Sequence, residues 1–86
     1  MPHMLARLRN VRLEIIRSVL ENDKDQHAKE GMYFEHLWQN VDDENEVLFL
    51  FRLDNLDKTK AFISRVHSEA LKADPKTNLP TMTFLS

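Results

Sequence analysis

The sequence predicts an α+β domain whose elements follow one another as βαββαβ. Three observations carry that prediction. Residues 3–9 and 81–85 alternate apolar and polar side chains, residues 32–40 and 46–53 read as two strands around an acidic turn, and two further stretches carry apolar residues at helical spacing. The chain has 86 residues, 42% of them hydrophobic and 30% charged, a globular composition that predicts one domain over residues 1–86. Helices placed after the first and third strands give a four-stranded antiparallel sheet with both helices on one face, the ferredoxin-like arrangement.

In the first strand, Met4, Ala6 and Leu8 face one way and His3, Leu5, Arg7 and Arg9 the other. Asn10 then offers an N-cap, and Leu13, Ile16 and Leu20 recur at helical spacing with Val19 alongside. Beyond Leu20 the apolar stripe stops. Residues 21–30 are almost wholly polar and read either as a solvated helix ending at Gly31 or as a loop.

The second strand sets Phe34, His36 and Trp38 on one face and Tyr33, Glu35, Leu37 and Gln39 on the other. Asp42, Asp43, Glu44 and Asn45 form a turn cluster, which predicts a hairpin with Val41 opposite Glu46. Trp38 then falls opposite Phe49, His36 opposite Phe51 and Phe34 opposite Leu53, with Leu37 opposite Leu50 and Glu35 opposite Arg52 on the reverse face. In residues 56–73, Phe62, Val66, Ala70 and Ala73 share a stripe with Ile63 beside them; Asp54 or Asn55 caps the start and Pro75 stops the helix. After Pro80, Met82 and Phe84 alternate with Thr81, Thr83 and Leu85 in a last strand. The expected core joins Phe34, Trp38, Phe49 and Phe51 to Ile16, Leu20, Phe62 and Val66.

Composition excludes several function classes. Gly31 is the one glycine and there is no cysteine, so glycine-rich phosphate loops, nucleophile elbows, disulfides, thiol nucleophiles and cysteine zinc sites are ruled out. A net charge of −2 argues against a nucleic-acid partner, which needs a concentrated basic surface. The apolar run at residues 47–51 is far shorter than the ~20 residues of a membrane span, and the first residues carry no signal-peptide stretch. A cytoplasmic protein without a membrane partner is expected.

Gly31-Met32, Asp42-Asp43, Asn45-Glu46-Val47 and the strand at residues 48–51 resemble the dimeric α+β barrel superfamily, which includes antibiotic-biosynthesis and haem-degrading monooxygenases. The resemblance continues through Asp54, Leu56-Asp57-Lys58, Lys60-Ala61-Phe62-Ile63, Pro80 and residues 81–85. These are turn, strand and helix-start features, so they imply scaffold rather than chemistry. Haem-degrading members use an asparagine, a tryptophan and a histidine of the second helix. Asn10 and His67 fall in comparable places here, whereas Trp38 departs from the pattern by lying in the second strand.

No motif calls for a cofactor or a metal. Asp23-x-Asp25-x-His27 opens like a calcium loop, but Ala28 and Phe34 stand where glycine and glutamate are required. The histidines show no i,i+4 pair. Nor does the third strand carry the glycine-aromatic signature of an RNA-binding sheet. A ligand between helices and sheet would meet His36, Trp38 and His67 among apolar walls from Phe49, Phe51, Phe62 and Val66. Tyr33, Leu37, Leu48 and Leu50 place apolar surface on the face turned away from the helices, which predicts a homodimer through that face. Three functions follow as alternatives: a module binding a small apolar or aromatic molecule, a cofactor-independent monooxygenase acting on an aromatic or polyketide-like substrate, and a structural or regulatory interaction protein.

Overall fold

The computed structural model describes residues 1–86 and orders them as β1 (His3–Arg9), α1 (Leu13–Asn22), α2 (Lys24–Lys29), β2 (Met32–Asn40), β3 (Asp43–Leu53), α3 (Leu56–Ala73) and β4 (Thr81–Leu85). The four strands form one antiparallel sheet in the order β2-β3-β1-β4. This is the predicted ferredoxin-like α+β fold, with one helix more than expected. Most of residues 21–30 is helical: α1 runs to Asn22, breaks at Asp23 and restarts as α2, which ends at Lys29. Gly31 closes the segment with φ +74°, the left-handed conformation that costs glycine least.

The capping chemistry is partly as predicted. Asn55 caps α3, its Oδ1 accepting from the Lys58 N–H at 3.0 Å. Asn10, by contrast, does not cap α1; it sits at φ 60°, and the N-cap is Arg12 with no side-chain cap bond. Instead, the Val11 N–H is taken by the Asn45 carbonyl at 3.1 Å, which ties the start of α1 to the hairpin.

The core lies between the helices and one sheet face. Met4, Ala6 and Leu8 of β1, Met32 of β2, and Val47, Phe49, Phe51 and Leu53 of β3 are buried there with Ile16 and Leu20 of α1. This follows from the period-two alternation of β1 and β3 and from the stripe of α1.

Strand β2 corrects the expected register. The hairpin turns at Val41 and Asp42 with Asn40 opposite Asp43, two residues ahead of the expected acidic turn. Asn40 Oδ1 accepts from the Asp42 N–H at 2.8 Å, and Asp43 Oδ1 from the Asn45 N–H at 3.0 Å, so side-chain turns fix the tip. Further along, Phe34 stands opposite Phe51 rather than Leu53, and a β-bulge at Glu35 brings His36 opposite Leu50, Leu37 opposite Phe49 and Trp38 opposite Leu48. One inserted residue exchanges the faces of everything beyond it. Phe34 and Leu37 therefore pack towards the helices, while His36 and Trp38 lie on the outer face. Two members of the expected core leave it: Trp38 is 46% exposed and Val66 37%. Leu37 likewise leaves the expected dimer surface.

Candidate functional site

Helices α1 and α3 do not close over the sheet. The apolar stripe of α1 ends at Leu20, and α3 buries only Thr59 completely. A cavity of about 360 Å³ remains, lined by residues from every element of the fold. Its floor is Met4, Met32, Phe49, Phe51 and Met82; its walls are Val19 and Leu20 of α1 and Phe62, Ile63, Val66 and His67 of α3. Asp23, Gln26 and His27 form a polar end where α1 gives way to α2.

His27 is the chemically distinctive group. Its ring meets Phe51 edge to face at 5.3 Å and 84°. Nδ1 is buried with no hydrogen-bond partner. Burial lowers its pKa below the ordinary 6.5, against a smaller opposing pull from Asp23. The imidazole is thereby held neutral near neutral pH, with one nitrogen able to accept a proton.

Of the residues expected around a ligand, Phe49, Phe51, Phe62, Val66 and His67 line this cavity. His36 and Trp38 lie across the sheet from it. Sequence alone singles out Asp23 and His27 only as the opening of a rejected calcium loop, and Gln26 not at all, because residues 21–30 carry no apolar periodicity. The break at Asp23 separates His27 from the α1 stripe, so no helical spacing marks it as a cavity residue.

The outer face carries Tyr33, Leu48 and Leu50, all half-buried, beside the exposed His36 and Trp38. The Tyr33 hydroxyl donates to Asp54 Oδ2 at 2.8 Å, and the Arg52 guanidinium lies 4.9 Å over its ring. That bond and the Asp54 charge raise the Tyr33 pKa. Glu35, the bulged residue, accepts from His3 Nε2 at 3.1 Å and lies 4.0 Å from Arg52, its expected partner. No group of three His, Asp or Glu side chains converges to hold a metal ion, and no helix is long and apolar enough to cross a membrane.

No protein-family model matches the sequence, and no curated protein matches it. Among solved structures, a crystal structure from Deinococcus radiodurans, assigned provisionally as an antibiotic biosynthesis monooxygenase, is similar with a TM-score of 0.62. The match covers 100% of this chain and 91% of that one at 16% identity. At that identity the likeness is one of fold: the chain shares the ferredoxin-like α+β architecture of that structure.

Proposed function

We propose that this protein, with residues 1–86 as one domain, is a homodimeric module that binds a small, largely apolar molecule in the cavity between helices and sheet. The observation that carries the reading is the cavity's make-up. Ten of its 14 lining residues are hydrophobic, and its volume of about 360 Å³ falls in the ~300–1,000 Å³ range of small-molecule sites. Apolar walls supply affinity, and Asp23, Gln26, His27 and His67 orient a polar substituent.

Homodimerisation rests on the outer face, where Leu48, Leu50 and Trp38 leave apolar surface that an antiparallel sheet facing water would not carry. Binding in the cavity is tested by following the methyl groups of Val19, Ile63, Val66 and Met82 by NMR during titration with indole. Saturable shifts at those methyls, weakened in a cavity-filling Val66→Phe variant, support the module. Trp38 emission is the wrong reporter, because Trp38 lies on the other side of the sheet.

A second reading, cofactor-independent oxygenation of an aromatic substrate, is favoured by the neutral, unpartnered His27 in the cavity wall. Turnover abolished by His27→Ala or His67→Ala, and untouched by His36→Ala, supports that reading over simple binding.

A further inference from the structure

Arg7 and Arg9 stand two residues apart on the outer face of β1, and one carboxylate holds both. Glu46, only 3% exposed, accepts from Arg7 Nε at 3.2 Å and from Arg9 Nε at 2.8 Å, with Asn40 Nδ2 donating at 3.1 Å. One buried carboxylate thus faces two guanidiniums, and one positive charge is left over. Both ion pairs use Nε alone, so the terminal amino groups of both arginines stay free to donate. The pair lines a cleft of about 400 Å³ whose other walls are Asn10, Asn78, Leu79 and Thr81, with no acidic side chain among them. Asn78 Nδ2 donates to the Arg9 carbonyl at 2.6 Å and so fixes one wall to the end of β1.

From this geometry we infer a second binding site, for a small oxyanion: a carboxylate or phosphate group held by the free edges of Arg7 and Arg9, with Asn78 and Thr81 beside it. A planar guanidinium edge matches two oxygens of such a group. Glu46 pre-orients both arginines, which lowers the entropy lost on binding. The cleft lies across the sheet from the cavity, so the inference is independent of any ligand there. Arg7 stands opposite Leu48 at the edge of the apolar patch, whereas Arg9 ends β1, Asn10 follows it and Asn78 precedes β4, so the site occupies the polar rim beside that patch on the outer face.

The test is a ¹H–¹⁵N NMR titration of the full chain with inorganic phosphate and, separately, with succinate, each against sodium chloride at equal ionic strength. Expected are saturable shifts of the Arg7 and Arg9 Nε–H signals and the Asn78 side-chain amide with at least one probe, the stronger probe naming the chemical source. Thr81→Glu, a change at an exposed position, sets a carboxylate in the cleft and is expected to weaken binding roughly tenfold or more. Arg9→Lys keeps the charge against Glu46 but loses the fork, and is expected to weaken it as well. Shifts no different from those with chloride, or undiminished binding by a folded Thr81→Glu or Arg9→Lys protein, would overturn the site.

Discussion

His36 stacks on Trp38 with ring centroids 5.0 Å apart and planes 20° from parallel, on the sheet face that the helices leave open. The stack exists because Glu35 is an extra residue in β2. Without that bulge both rings would point at the helices, as plain alternation predicts. Placed outward, they extend the apolar surface of Leu48 and Leu50, and a second copy is the proposed cover.

Leu50→Asp is therefore expected to convert a dimer of about twice 10.2 kDa into a folded monomer, read by light scattering. Trp38 emission should shift to longer wavelength and become readily quenched by acrylamide in the variant. A wild-type protein of 10.2 kDa at micromolar concentration would contradict the proposed interface.

Gly31→Ala tests the joint between α2 and β2. An added Cβ would meet Asp54 Cβ at 3.5 Å, an ordinary contact, so the penalty comes from φ +74° and not from crowding. A loss of roughly 1–2 kcal/mol in urea unfolding is expected for alanine, and less for asparagine, which tolerates the left-handed region better. Equal stability of Gly31→Ala and wild type would contradict that backbone assignment.

Stability should fall with acid in two windows. Bonds from Arg9 and Asn40 hold the Glu46 pKa below its ordinary 4.5. The unfolded chain therefore takes up this proton first, and stability present above 4.5 is lost as pH falls through the lower folded value. His27 behaves alike around a higher point. Its folded pKa lies below 6.5, so the unfolded state binds more protons, and stability declines from about pH 6.5 downwards. Glu46→Gln should remove the lower window and His27→Gln the upper one, measured as urea midpoints against pH.

The predictable part of the fold came from segments where one physical signal acts alone. β1 has strict alternation, α3 has an unbroken stripe with Asn55 ahead of it, and both run over the residues expected of them. β2 also runs over the expected residues 32–40, but its facing and register differ because its aromatic alternation is interrupted by one inserted residue, which no local propensity announces. The same slip misplaced His36 and Trp38 as cavity residues. Residues 21–30 were ambiguous because α2 buries no residue completely and is held through the half-buried His27 and Ala28. The polar end of the cavity depends on that tertiary contact, so it could not be read from periodicity.

Phe49→Ala probes the core and the cavity together. Phe49 is 7% exposed and meets Phe51 at 5.9 Å and 81°. Truncation should cost about 3–5 kcal/mol in chemical unfolding. A loss well under 1 kcal/mol would mean that this face of β3 is not packed as described.

The most direct measurement of the central claim is the methyl NMR titration of the wild-type protein with indole. The account predicts saturable shifts at Val19, Ile63, Val66 and Met82, with the Trp38 indole N–H unmoved. A flat titration, or shifts confined to Leu48, Leu50 and Trp38, would contradict it and place the binding surface on the outer face of the sheet.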